Sequence, residues 1–282
     1  MYKQLKRYFP VFVLPTLIAF IIAFAVPFFL GLGLSFSKFT LVTDAVFNGI
    51  DNYKQAFSDP SSNFVPALGF TAAFTVVCII IVNVGAFALA MLLTKGLKGS
   101  NAFRSVFFAP NLIGGIVLGY VWNTILNALL LGANKTLLFK PEYGFWGLVL
   151  VVSWQMIGYM MIIYISGINN IPGDIREAAA IDGVNARQSL WHIVLPSVMP
   201  SITICTFLTL TNSFKLFDQN LALTNGGPAN KTEMLALNIY RTFYNRNGWS
   251  GAGQAKAVVF FLLVGAIALV QLRLTRSKEN SN

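Results

Sequence analysis

The strongest constraint on this sequence is where it carries no charge. Residues 11–36, 66–94, 106–131 and 145–169 contain no Asp, Glu, Lys or Arg; residues 197–217 contain only Lys215, and residues 257–272 again none. The hydrocarbon core of a bilayer is about 30 Å thick, so about 20 mostly apolar helical residues cross it. The runs predict six spanning helices. The fifth is polar for a span, and the sixth is short unless it extends backwards through the small residues 251–255. Composition agrees, with 56% apolar and only 11% charged residues and a mean hydropathy of +0.67. Soluble domains carry about a quarter charged residues to cover a wet surface. The expected class is therefore an all-α integral membrane protein.

Other classes fall away. The net charge of +10 would suit a nucleic-acid binder, but the basic residues sit in short clusters between apolar runs, where they orient spans in a bilayer. Cys78 and Cys205 lie inside apolar runs and read as small packed hydrophobes. With one His in the chain, no metal-ligand spacing or nucleophile–base constellation appears, so a membrane enzyme is disfavoured. Ala23-Phe24-Ala25 mimics a signal cleavage site, yet the apolar run continues well past it, so the first span reads as retained.

Orientation follows the density of Lys and Arg. With the N-terminus inside, one side of the bilayer holds Lys3, Lys6, Arg7, Lys95, Lys98, Arg104, Arg176, Arg187, Arg273, Arg276 and Lys278. These eleven lie at about twice the density of the other nine, which predicts both termini cytoplasmic. The chain is expected to divide into an N-terminal tail, first span and outer loop (1–65), a transmembrane core (66–272) and a basic tail (273–282). Longer outer loops are expected over residues 37–65 and 218–256.

The loop after the fourth span, residues 171–200, carries three of the ten acidic residues, Asp174, Glu177 and Asp182. Asp174 followed by Glu177 three residues on resembles a capping box, Ala178 to Ala180 favour helix, and Gly183 suits a left-handed C-terminal cap. Asn185 with Gln188 repeats the capping pattern for a second short helix, whose apolar face is Ala186, Leu190, Ile193 and Val194. Pro196 is expected to stop that helix. A well-capped loop is one reading. An exposed helix of small residues ending in a tight turn also suits the close approach of another protein.

The spacing Glu177-Ala178-Ala179, three residues, Gly183, nine residues, Ile193-x-Leu195-Pro196 resembles the EAA loop of ABC importer permeases. That resemblance implies the type I importer permease fold, with six transmembrane helices and a cytoplasmic coupling loop. Glu177, Ala178, Ala179, Asp182, Gly183, Ile193, Leu195 and Pro196 would then dock on an ATP-hydrolysing subunit. Residues 213–218 (SFKLFD) and 223–228 (LTNGGP) are similar to the fifth-span exit and following loop of maltose-type carbohydrate permeases, and Asn52-Tyr53 and Pro110 fit the same group in a compact six-span form. The resemblance implies a second, unlike permease as partner in a heterodimer, two ATP-binding subunits, an extracytoplasmic solute-binding protein, and the cell (inner) membrane of a bacterium or archaeon. ATP and Mg would bind the partner subunits, and no cofactor is expected on this chain, which has no Gly-x-x-x-x-Gly-Lys-Ser/Thr phosphate loop.

Polar or aromatic groups inside spans are costly unless used. Span four offers Trp154, Gln155, Met156 and Tyr159; span five offers Thr209, Thr211, Asn212, Ser213 and Lys215. Amides, hydroxyls and an aromatic ring suit a sugar, and by resemblance to maltose-type permeases the positions near Gln155-Met156 and Asn212-Ser213 fall at a midplane sugar site. The same groups also serve as hydrogen bonds between helices. Lys215 reads either as a snorkelling partner of Asp218 or as a ligand for an anionic solute such as glycerol phosphate. An ion-coupled secondary transporter is the remaining alternative; such proteins carry inverted repeats and buried acids, and here no repeat and no mid-span Asp or Glu is found.

Overall fold

The computed structural model describes residues 2–279. The end of the expected basic tail, 280–282, lies outside the described residues, as do the side chains of Lys3, Lys6, Arg7, Arg176, Arg276 and Lys278 used above for orientation.

Helix α1 (Tyr2–Phe20) passes through a wide π turn, Ile21–Ala25, into α2 (Val26–Leu34). A small antiparallel hairpin follows, β1 (Ser37–Lys38) on β2 (Val46–Phe47), with Ser37 opposite Phe47. Then come α3 (Asp51–Ser58), α4 (Phe64–Leu93), α5 (Ser100–Phe108), a 3₁₀ turn at Ala109–Leu112, α6 (Gly115–Leu131) and α7 (Pro141–Asn169). The loop after α7 holds α8 (Gly173–Ile181), α9 (Ala186–Ser189), a second π segment (Leu190–Val194) and α10 (Leu195–Ser197). The chain continues through α11 (Met199–Phe214), α12 (Asp218–Leu223), α13 (Leu235–Tyr244) and α14 (Ser250–Glu279).

Four spans are single apolar stretches, Val11–Leu34, Phe64–Leu93, Pro141–Asn169 and Ser250–Gln271; six result when each of two bent helix pairs counts as one. The bends correct two expectations. The third span is not one helix: Ser100–Leu112 meets Gly115–Leu131 at 99°. Pro110 lacks an N–H, the chain tightens into 3₁₀ around it, and Ile113 and Gly114 take extended ψ of 129° and 138°. Nor does Pro196 stop the helix that begins at Ala186. Pro196 sits in α10, which runs on from the π segment without a gap, Pro200 sits in the first turn of α11, where a missing donor costs nothing, and the 68° bend falls between them at Val198.

Both π segments end two residues before a proline, Pro27 and Pro196. In the widened turn, Val26 N–H reaches Ile21 O and Leu195 N–H reaches Leu190 O. A proline ring crowds the carbonyl four residues back, and a wide turn moves that carbonyl aside.

The described residues form two compact units, one of the chain up to Phe64 with Ile239–Leu262, the other of Val65–Asn238 with the helix from Leu263 onward. In the first, the buried Asn52 amide donates to Ser35 O (2.9 Å) and Ser37 O (2.8 Å), closing the end of α2, and Tyr53 Oη lies 2.7 Å from Ser35 Oγ. Hydrogen bonds from Ser61 hold the Asp59 carboxyl below its usual range. Helix α14 begins at Ser250, so Lys256, placed above at the end of an outer loop, lies inside the sixth span. It is fully buried, and its ammonium donates to Ser62 O (3.0 Å) and Thr242 Oγ1 (2.8 Å) beneath the Phe64 ring. A buried cation needs such partners.

The second unit is built around α7, whose buried residues include Met160, Met161, Tyr164, Ile165 and Ile168. Tyr164 Oη donates to Asn83 Oδ1 of α4 at 2.8 Å, and the Cys205 thiol of α11 points at Met160 O. Gly158 meets the Phe107 carbonyl of α5 so closely that a Cβ has no room, and backbone cannot yield as a flexible side chain does. Gly158→Ala should therefore destabilise the packing by about 1–3 kcal/mol. The check is the melting temperature and monodisperse yield of the detergent-solubilised protein, with the half-buried Gly265→Ala, whose added Cβ meets nothing within 4 Å, as an unaffected control.

Candidate functional site

In the second unit, a cavity of about 480 Å³ opens beside the break in span three, where the far end of α11 runs into α12. Span four supplies Gln155, Met156 and Tyr159, span five supplies Asn212 and Lys215, and the turn of span three supplies Asn111. Gln155 is the centre of its polar wiring. The Gln155 Nε2 donates to Ile113 O at 3.0 Å, a carbonyl that the extended break takes out of the helical ladder. The Gln155 Oε1 accepts from Gln219 Nε2 at 2.6 Å. Hydrogen bonding thus joins the break in span three to the segment after span five.

Five of the seven expected substrate residues meet at this cavity, namely Gln155, Met156, Tyr159, Asn212 and Lys215. Two do not line it. Trp154 turns to another face of α7, 42% exposed, and stacks edge-on against Trp122 at 5.4 Å. Ser213 is fully buried on a different face of α11 from Asn212, where Ser153 and Ser213 flank the Cys78 thiol. Adjacent helical residues point about 100° apart, so sequence neighbours of a cavity residue can face elsewhere. Lys215 does not pair with Asp218. Helix α11 ends at Lys215, so the helical spacing that would bring the two together is broken, and both stand exposed at the cavity without an ion pair.

Asn111, Leu216, Phe217, Asp218 and Gln219 also line the cavity; the sequence marked 213–218 as a family-like stretch but named none of these five among the substrate residues. The signal that could have found Asp218 and Gln219 lies in α6. A Cβ on Gly115 would lie 2.7 Å from Asp218 Cβ, and one on Gly119 would lie 2.6 Å from Ala222 Cβ. One turn further along the same face, Asn123 Nδ2 donates to Leu223 O at 2.6 Å, tying down the C-terminus of α12. The spacing Gly115-x-x-x-Gly119-x-x-x-Asn123 is a helix face shaped to receive another backbone. It clamps α12 and so presents Asp218 and Gln219 to the cavity.

The loop of residues 171–200 carries the second candidate surface. Helix α8 starts at Gly173, so Asp174 lies in its first turn and not at its cap. At the other end Val184 N–H reaches back to Ala179 O (3.0 Å) across Gly183, whose φ is +70°, which is a Schellman turn. Asn185 and Gln188 form the expected reciprocal capping box, at 2.9 and 3.0 Å. Glu177, Ala178, Asp182, Gly183 and Pro196 are exposed, while Ala179, Ile193 and Leu195 are half-buried. Ile181 is 86% exposed and Trp191 61%. Large apolar side chains at the tip of a capped loop form a ready contact surface. Among the described residues no cluster of His, Cys, Asp and Glu could hold a metal ion.

Residues 72–278 match the family described as the binding-protein-dependent transport system inner membrane component. The probable starch degradation products transport system permease protein AmyD of Thermoanaerobacterium thermosulfurigenes is 44% identical over 276 residues, covering 95% of this chain and 94% of that one. The multiple sugar-binding transport system permease protein MsmF of Streptococcus mutans is 32% identical, covering 98% of each. Among solved structures, a chain of a bacterial ABC transporter involved in the import of the acidic polysaccharide alginate shares the fold, with a TM-score of 0.82, 19% identity and 98% of each chain covered. The chain belongs to the binding-protein-dependent transport system inner membrane components, the permease subunits of ABC transporters.

Proposed function

We propose that this permease carries a neutral sugar or oligosaccharide inward, as half of a translocation pathway completed by a second, unlike permease. The observation that carries this reading is the cavity itself, lined by the amides of Gln155, Asn212 and Asn111 and by the ring of Tyr159 beside the break in span three. Amides serve sugar hydroxyls and an aromatic ring serves the apolar sugar face. The starch-product and multiple-sugar transport relatives support the same choice. Lys215 alone would suit an anionic solute such as glycerol phosphate. Asp218 lines the same cavity and offsets that charge, which favours a neutral polyol. Two ATP-binding subunits, carrying ATP and Mg, would drive the cycle, with an external solute-binding protein delivering the sugar and both termini cytoplasmic.

The coupling surface in this reading is the loop bearing Glu177, Ala178, Ala179, Asp182, Gly183, Ile193, Leu195 and Pro196, with Ile181 and Trp191 presented beside them. ATP-driven closure of the partner subunits would move this loop and rock the spans.

Two measurements test the reading. With the complex reconstituted in vesicles, sugar-loaded binding protein should stimulate ATP hydrolysis and drive accumulation of sugar. Transport by this chain without the ATPase would overturn it. Gly183→Val places a β-branched residue at positive φ, at a strain cost of about 1–3 kcal/mol. It should cut sugar delivered per ATP hydrolysed about tenfold or more, and a Gly183→Val complex that pumps normally would remove the coupling role from this loop.

A further inference from the structure

The hydrogen-bonding capacity of the cavity is concentrated at one place. A glutamine amide offers two N–H donors and two acceptor lone pairs. Gln155 spends one donor on Ile113 O and one lone pair on Gln219, and Gln219 spends one donor on Gln155. Each amide keeps a further donor and acceptor, both residues line the cavity, and each holds the other's plane in place. Gln219 is itself buried and rests on Gly115, where a Cβ would come within 3.0 Å of its amide carbon and nitrogen. The amide pair is therefore held by Ile113 O, by each other and by the Gly115 contact, at the wall of the cavity.

We propose that Gln219 is a specificity-determining residue of this permease, acting with Gln155 as a paired-amide recognition element for two neighbouring hydroxyls of the transported sugar. Resting on the sugar-import reading above, the inference adds the residue and the chemical feature it recognises. Two amides locked edge to edge present a donor and an acceptor side by side, and vicinal hydroxyls, each both donor and acceptor, complement that array. A sugar lacking one of the two hydroxyls leaves a buried amide group unpaired, and sites built on such hydrogen bonds reject the incomplete analogue strongly. The Gly115 contact makes the arrangement dependent on α6, so substitution there should act through Gln219 and not through a direct ligand contact.

The test uses the complete transporter in vesicles, with its binding protein, and maltose, maltotriose and their monodeoxy analogues as probes. In Gln219→Ala the sugar delivered per ATP hydrolysed should fall about tenfold, and discrimination between the parent sugar and the analogue lacking the recognised hydroxyl should collapse to within about twofold. Gln155→Ala should lose discrimination alike and deliver still less sugar, because it also leaves the Ile113 carbonyl without its partner, and the double variant should lose no more than Gln155→Ala alone, because the two side chains act as a unit. Gly115→Ala should lose discrimination in the same direction. If Gln219→Ala lowers ATP hydrolysis and transport in parallel while still discriminating the analogue, Gln219 is only structural and the proposal fails. If the single losses multiply in the double variant, the paired element fails. A wild-type transporter that moves none of these sugars overturns the sugar reading itself, an outcome separate from any effect of Gln219.

Discussion

A polar backbone group in hydrocarbon must find a partner within the protein, and each one left without a partner costs several kcal/mol. Span three breaks its helix at the cavity and α11 of span five ends there, so this requirement shapes everything around the cavity. The carbonyl of Ile113 leaves the ladder where span three turns, and Gln155 reaches across from α7 to satisfy it. Gln219, arriving after the break in span five, completes the bridge. Irregular backbone is tolerated where it lines a cavity, and here the turn of span three and the segment between α11 and α12 border one cavity.

The same logic organises the packing. Helix α12 has six residues, too few to hold its own shape, and it is held against α6 by the Gly115, Gly119 and Asn123 face. Close backbone approach replaces the hydrophobic drive that lipid removes. In the first unit a buried ammonium plays the corresponding part. Lys256 binds the carbonyl of Ser62 and the hydroxyl of Thr242, which lie far from it in sequence or a helix away.

Much of this was legible beforehand. Charge gaps located the apolar helices because no other residue types survive facing lipid. The Asn185–Gln188 box and the left-handed Gly183 followed from local capping chemistry, which acts over a few residues. The residues that failed share a cause. Asp174 and Pro196 were assigned cap and stop roles that depend on a single residue of helix register, and Lys215 with Asp218 were paired across a helix that had already ended. Trp154 and Ser213 are neighbours of cavity residues in the chain but occupy other faces, a distinction that needs the rotation of the helix about its axis.

By itself the sequence determined the membrane class, the approximate spans, the exposed capped loop and the family, since each rests on local chemistry or on spacing along one chain. Only the tertiary structure decided where the third and fifth spans bend, which polar residues share a cavity and that Gln219 belongs among them. Those outcomes depend on pairings across 42 and 64 residues, Ile113 with Gln155 and Gln155 with Gln219. Such pairings are set by how close two backbones approach, and in this chain Gly115 and Gly119 govern that approach.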